Sequence, residues 1–131
     1  AEVIANIQAV IVDLDGTMVD TLGDFDAALN ATLRELHRPA VTRADIERMV
    51  GKGSMHLIRT ALQHGGLDAA AAAALLDTAW ARYQAHYRAI NGAHSMVYPG
   101  VASGLAALRA RGLTLACLTN KPLAFARDLL Q

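Results

Sequence analysis

Two carboxylates, Asp13 and Asp15, stand at the end of an apolar segment near the start of the 131-residue chain. They are two residues apart, so in an extended backbone their side chains begin from the same side. Carboxylates this close repel each other unless a cation or a shared proton relieves the repulsion. Mg²⁺ prefers oxygen ligands, keeps several of its waters and can bridge to a phosphate group. The pair is therefore a candidate metal-assisted site for phosphate chemistry.

The same two carboxylates can divide the work of cleaving a phosphate ester. One attacks phosphorus to give an aspartyl-phosphate, and the other protonates the leaving oxygen and later activates water. Gly16 lets the backbone come close, and the amides of Leu14 and Gly16 can face phosphate oxygens. An Asp-Gly pair alone is also typical of a plain turn. The longer run Asp-x-Asp-Gly-Thr-x-x-Asp, between an apolar strand and a helix, favours the site.

Two apolar segments predict the strands that position this site. Residues 9–14 and 113–118 are apolar on both faces, as in the buried strands of a parallel sheet. Helices separate them, which indicates an α/β fold. Cys117 lies in the second strand, where packing is its expected role. Two strands alone leave two open edges, so we expect further strands outside these 131 residues. The open edges are also candidates for self-association.

Helices account for most of the remaining chain. Thr21 with Asp24, and Thr42 with Asp45, match the capping-box pattern of helix starts, and Asp68 precedes a long alanine-rich segment. Apolar faces predict helices over residues 22–36, 46–50, 57–62, 69–90 and 101–111, and from 123 onward. One face of the long helix is aromatic and is expected to be core: Trp80, Tyr83 and Tyr87.

Composition argues against several classes of partner. Twelve basic and twelve acidic residues give a formal net charge of zero, so the chain offers no general field for nucleic acid or an anionic membrane. No run of ~18 apolar residues is available to span a bilayer, and the first residues lack the pattern of a secretory signal. A single cysteine suits a reducing compartment. We expect a cytoplasmic protein that binds a small phosphorylated substrate.

The run at residues 13–20 resembles the first motif of the haloacid dehalogenase (HAD) superfamily of phosphatases, Asp-x-Asp-Gly-Thr/Val. An apolar strand that ends in Thr119 and Asn120 resembles the second motif. The resemblance implies that Asp13 is the nucleophile and a Mg²⁺ ligand, and that Asp15 is the acid/base and binds the metal through its carbonyl. It also implies that Thr119 and the Asn120 amide hold the transferred phosphate. The implied fold is a partial HAD-like Rossmannoid parallel sheet.

In this superfamily, an all-helical segment inserted after the first motif is a mobile cap that closes over the substrate. The resemblance therefore implies a core of residues 1–18, a helical cap of 19–95 and a continued core of 96–131. Three short strings are most similar to phosphoglycolate phosphatases: residues 50–53, 98–101 and 119–122.

The two lysines of the sequence have no settled role. Lys52, between two glycines of the cap, could meet the carboxylate of a small substrate, although an exposed loop lysine fits the pattern equally well. Lys121, beside the phosphate-binding threonine, could interact with phosphate, but we do not take it as the third-motif lysine of the superfamily. That lysine, and the acidic pair of a fourth motif, normally lie well beyond the second motif. We therefore expect an incomplete site in this chain.

These observations give one leading hypothesis and two alternatives. The leading one is a Mg²⁺-dependent phosphatase that hydrolyses a small phosphate monoester, first of all 2-phosphoglycolate, through a phosphoaspartate, with this fragment inactive alone. Asp15 argues against a dehalogenase, because splitting a carbon–halogen bond needs no acid for the leaving group. One alternative is a β-phosphoglucomutase-like or pyrophosphatase member of the same superfamily. The other is a non-catalytic, self-associating fragment.

Overall fold

The computed structural model describes residues 6–131; the segment inspected for a secretory signal lies outside them. The elements, in chain order, are β1 (Ala9–Val12), β2 (Val19–Asp20), α1 (Leu22–Glu35), α2 (Arg43–Met49), α3 (Ser54–His64), α4 (Ala69–Ile90), β3 (Met96–Val97), α5 (Val101–Ala110), β4 (Thr114–Cys117) and α6 (Leu123–Leu130). The mixed α/β class is as predicted. No helix in residues 6–131 is long and apolar enough to cross a membrane.

The parallel pairing of β1 with β4 confirms the predicted sheet. Val10 lies opposite Leu115 and Val12 opposite Cys117, and the Leu118 amide continues the ladder by donating to the Val12 carbonyl at 3.0 Å. Both strands are shorter than predicted, because the regular strand pairing ends where each strand runs into a loop. Since the strands are parallel, the loops that follow them leave the sheet at the same edge.

β1, β4 and the residue that follows β4 are far less buried than their apolar sequences predict. Ile11 is 65% exposed and Leu118 is 71% exposed, and Cys117 is also exposed. The expectation that Cys117 is buried is therefore wrong for this chain. The reason is that the sheet has two strands in the described part of the chain, so each strand keeps an open edge. The self-association expected from these edges stays a prediction.

The helices between β2 and β3 share one apolar core. α1 packs along α4, and α3 packs on the same long helix. Tyr83 and Tyr87 are fully buried in this core and Trp80 is partly buried against it, which confirms the predicted aromatic face. A smaller second cluster (Leu14, Met18, Val19 and Ala126) lies beneath the loop after β1.

Two of the three predicted helix caps are present. The Thr42 hydroxyl accepts from the Asp45 amide at 3.1 Å, and the Asp45 carboxylate accepts from the Thr42 amide at 3.3 Å, which is a capping box. Asp68 accepts from the Ala71 amide at 2.8 Å. The predicted box of Thr21 and Asp24 is wrong, because Thr21 makes no side-chain cap at the start of α1.

Asp24 instead binds the segment by which the chain returns from the helices. Its buried carboxylate accepts from the amides of Gly92 at 2.9 Å and His94 at 2.8 Å, and from the Ser95 hydroxyl. Beside it, β2 pairs antiparallel with β3. This pair is not predictable from the sequence, because strands of two residues carry no alternating pattern. The insert thus begins on a short strand and is not wholly helical.

Gly23 permits the closest approach between the outgoing and returning segments. A Cβ on Gly23 would stand 2.4 Å from the His94 carbonyl oxygen, whereas a Cβ on Gly104 in α5 would meet nothing within 4 Å. Both glycines lie inside helices. The same substitution therefore has opposite consequences at the two positions.

We predict that Gly23→Ala lowers the free energy of unfolding by about 2 kcal/mol, because the returning segment must move away. The matched control, Gly104→Ala, is expected to raise it by about 0.5–1 kcal/mol, because alanine is the better helix former. Urea unfolding of the complete protein measures both changes. Equal effects of the two substitutions would contradict the close approach at Gly23.

Candidate active site

The loop that follows β1 presents both predicted carboxylates. Asp13 is exposed, and its Oδ1 accepts from the Leu14 amide at 2.7 Å. The carbonyl of the fully buried Leu14 accepts from the amides of Met18 at 3.0 Å and Val19 at 3.2 Å. Gly16 has a φ of +75°, a value that suits glycine. This tight loop fixes Asp13 and Asp15 at the end of the strand.

The loop that follows β4 supplies the residues of the second motif. The Thr119 hydroxyl accepts from the Lys121 amide at 3.1 Å. The side-chain amide of Asn120 donates to the Gly51 carbonyl at 2.7 Å. Gly51 belongs to the connection between α2 and α3, so Asn120 joins the second loop to the helical insert.

The two loops and the insert together line a partly open cavity of about 200 Å³. Five of the predicted site residues line it: Asp13, Asp15, Gly16, Thr119 and Asn120. The insert contributes Thr21, Phe25, Glu47, Gly51 and Ser54, among others, to the lining of the same cavity. Residues from both ends of the chain thus face the same space.

The two remaining predicted residues do not line the cavity. Leu14 lies beneath the loop, and its amide already has the Asp13 carboxylate as acceptor. Gly16 does line the cavity, but its amide, like that of Leu14, already has a protein acceptor, the Val19 carbonyl at 2.8 Å. The side chain of Lys52 is exposed, although the glycines on either side of it line the cavity. Its contact with a substrate carboxylate stays a prediction.

Lys121 lines the cavity, although it was not among the predicted site residues. Its Nζ donates to Asp15 Oδ1 at 2.9 Å and to the Tyr87 hydroxyl. It also stands 4.8 Å from the centre of the Phe25 ring and 4.7 Å from that of Tyr87. Burial lowers the pKa of Lys121, and the neighbouring Asp15 opposes that shift.

The sequence carried only a weak signal for this arrangement. Lys121 follows Thr119 closely, which suggested a contact with phosphate, but its actual partners lie far away along the chain. Phe25 and Tyr87 belong to apolar helix faces, where a partner for an ammonium group is not expected. The packing of the insert against the two loops brings these groups together.

The donor atoms at the end of β1 suit a hard cation. Asp13 offers carboxylate oxygens and Asp15 can offer its carbonyl, and oxygen ligands with retained waters are what Mg²⁺ prefers. No group of three or more His, Cys, Asp or Glu side chains within residues 6–131 is arranged to hold a metal ion. These two aspartates therefore fit a Mg²⁺ ion only as part of a larger ligand set.

The carboxylates of Asp13 and Asp15 lie close enough to Cys117 to affect the pKa of its thiol. Partial burial raises the pKa of its thiol above the ordinary value, and the carboxylates of Asp13 and Asp15 raise it further. A raised pKa keeps the group as a thiol, and the thiolate is the nucleophilic form. The aspartates thus disfavour the nucleophilic form of Cys117.

The chain is similar to proteins of a known family. A family model for haloacid dehalogenase-like hydrolases matches residues 7–131. The chain belongs to the haloacid dehalogenase-like hydrolases. This membership agrees with the observed parallel pair and with the position of Asp13 after β1.

Curated relatives of this HAD chain include two bacterial proteins named as phosphoglycolate phosphatases. The one from Cupriavidus necator is 42% identical over 122 residues, covering 93% of this chain and 52% of the relative. The one from Nitrosospira multiformis is 41% identical over 125 residues, covering 95% of this chain and 55% of the relative. The chain therefore spans about half the length of the curated relatives it matches.

Solved structures share the fold of this HAD chain. A crystal structure described as a predicted phosphoglycolate phosphatase from Haemophilus somnus superimposes with a TM-score of 0.82 at 24% identity. The match covers 97% of this chain and 57% of that protein. At this level of identity the comparison supports the fold alone.

We predict that Asn120→Ala loosens the connection between α2 and α3. The variant keeps the backbone amide of residue 120 but loses the hydrogen bond to Gly51, which contributes about 1 kcal/mol. Hydrogen exchange of the amides at residues 51–53 in the complete protein should therefore become about fivefold faster. Gln63→Ala, at an exposed position of α3, is the control and should leave the exchange unchanged. Unchanged exchange in Asn120→Ala would refute the connection.

Proposed function

We propose that this HAD chain carries the nucleophile of a Mg²⁺-dependent phosphatase that hydrolyses a small phosphate monoester, with 2-phosphoglycolate as the leading substrate. The observation that carries the proposal is the shared cavity. Asp13 and Asp15 from the first loop, and Thr119 and Asn120 from the second, line it together. A phosphate bound among these four residues would stand next to both carboxylates.

In the proposed first step, a carboxylate oxygen of Asp13 attacks phosphorus. The bond from phosphorus to the ester oxygen breaks, and Asp15 gives its proton to that oxygen, so an alcohol leaves. The products on the protein are an aspartyl-phosphate at Asp13 and a carboxylate at Asp15. Thr119 and Asn120 would hold the phosphate oxygens during the transfer.

In the proposed second step, the Asp15 carboxylate takes a proton from a water molecule. The water attacks phosphorus, the acyl-phosphate bond breaks, and inorganic phosphate leaves the restored Asp13. A Mg²⁺ ion bound by Asp13 and the Asp15 carbonyl would neutralise charge on the phosphate and orient it. Asp15 thus acts as acid first and as base afterwards.

The substrate is inferred from the size of the cavity and from the names of the relatives. A cavity of about 200 Å³ between the loops and the insert suits a small molecule. The curated relatives at about 40% identity are named as phosphoglycolate phosphatases. The lone cysteine suits the cytoplasm, where such a metabolite would be met. Residues 19–95 are the proposed cap over this substrate.

Two other activities remain as alternatives within the same family, a β-phosphoglucomutase-like reaction and pyrophosphate hydrolysis. Both use the same attack by an aspartate, so Asp13 and Asp15 do not distinguish them from the leading proposal. The residues of the insert wall are the ones that decide among substrates.

We predict that Asp13→Asn in the complete protein lowers kcat by more than about a thousandfold, because an amide cannot form the acyl-phosphate. Acid quenching during turnover should trap phosphate on a peptide that contains Asp13 in the unaltered protein and none in the variant. Asp128→Asn, at an exposed position of α6, is the control with normal turnover. A near-normal rate in Asp13→Asn would sink its role as nucleophile.

We predict that 2-phosphoglycolate is turned over with a kcat/KM at least about tenfold above that of ethyl phosphate, which lacks the carboxylate. One charge-assisted hydrogen bond to that carboxylate, at about 1.5 kcal/mol or more, is sufficient for this ratio. Steady-state rates on both esters, glucose 1-phosphate and pyrophosphate provide the measurement. A clear preference for either of the last two compounds would favour the alternatives.

A further inference from the structure

The ammonium group of Lys121 joins three parts of the molecule. It donates to Asp15 in the loop after β1 and to Tyr87 in α4, and it lies over the ring of Phe25 in α1. Lys121 itself stands in the loop after β4. One charged group therefore connects the two catalytic loops with the helical insert.

Burial of the Lys121 ammonium is unfavourable for stability unless an opposite charge lies beside it. The side chain of Lys121 is 1% exposed, while that of Asp15 is 20% exposed. A buried ion pair often contributes less to stability than apolar side chains of the same volume. The rings of Phe25 and Tyr87 would accept an apolar neighbour readily. Stability alone therefore does not account for a lysine at this position.

The contact with Asp15 is directional. Nζ binds Oδ1, and no hydrogen bond joins Oδ2 to another side chain within the described residues 6–131. Oδ1 can accept this bond whether Asp15 is a carboxylate or carries its proton on Oδ2. The contact can thus persist through both proposed steps and leaves Oδ2 available to exchange a proton.

We propose that Lys121 is a positioning residue, whose ammonium holds Oδ1 of Asp15 so that Oδ2 exchanges the proton with the leaving oxygen. The burial of Lys121 between Phe25 and Tyr87 ties this orientation to the helical insert. The inference rests on the proposed function, since it assigns Asp15 the role of acid. It adds a residue that acts through Asp15 without forming a bond to phosphorus.

The test compares two kinds of phosphate ester in the complete protein. Alkyl esters such as ethyl phosphate need a proton on the leaving oxygen, whereas p-nitrophenyl phosphate has a leaving group stable as an anion. We expect Lys121→Met, which keeps the length and packing of the side chain, to lower kcat/KM for the alkyl ester by about 100-fold. For the aryl ester the loss should be below about fivefold, because acid catalysis contributes little there. A purely structural residue would lower both alike.

Two further variants keep the test decisive. In a protein that already carries Asp15→Asn, Lys121→Met should add less than about a twofold loss, because residues that act as a unit are not additive. Lys121→Gln can still donate one hydrogen bond to Asp15, and its loss on the alkyl ester should be intermediate. It also replaces Lys121→Met if that protein does not fold.

The outcomes separate this inference from the proposed function. Equal losses on both esters, or a full additional loss in the Asp15→Asn background, would overturn the role of Lys121 while Asp13→Asn still abolishes turnover. If the unaltered protein hydrolyses no phosphate ester, the proposed function fails, and the inference fails with it.

Discussion

β1 and β4 lie side by side and parallel although residues 13–113 separate them along the chain. Backbone hydrogen bonds of this pair bring the loop of Asp13 and Asp15 next to the loop of Thr119 and Asn120. Parallel strands place their following loops at one edge of the sheet. Without this pairing, the residues of the two loops would not line the same cavity. The pair is also poorly covered, with Ile11 65% exposed, and burial of such apolar surface by further contacts would be stabilising.

The insert is joined to this edge by contacts of different kinds. Asp24 holds the returning segment through the Gly92 and His94 amides, and β2 pairs with β3. At the far side, Asn120 reaches the Gly51 carbonyl. The contacts of Asp24 are partly buried and hold the chain where it enters and leaves the helices. The last is a single exposed hydrogen bond, which is the kind of contact that opens at low cost.

Lys121 contacts both the site and the core of the insert, through Asp15 and Tyr87. Its ammonium lies in the aromatic core shared by α1 and α4, where a charge is unfavourable by itself. Asp15 offsets this cost, and the rings of Phe25 and Tyr87 add cation–π attraction. The acid of the proposed reaction is consequently part of the contact between core and insert. The position of the insert and the orientation of Asp15 are linked through one side chain.

The family motif of the first loop, the α/β class and most of the helices could be predicted from the sequence alone. These follow from local patterns: the run from Asp13 to Asp20, the caps at Thr42 and Asp68, and apolar periodicity. The partners of Asp24 and Lys121 and the exposure of Cys117 depend on how the whole chain folds. Asp24 looked like a helix cap because its spacing from Thr21 fits one, but the amides at 92 and 94 bind it instead. Such partners lie far apart in the chain, and no local pattern records which distant groups the folded backbone brings within reach of a charge.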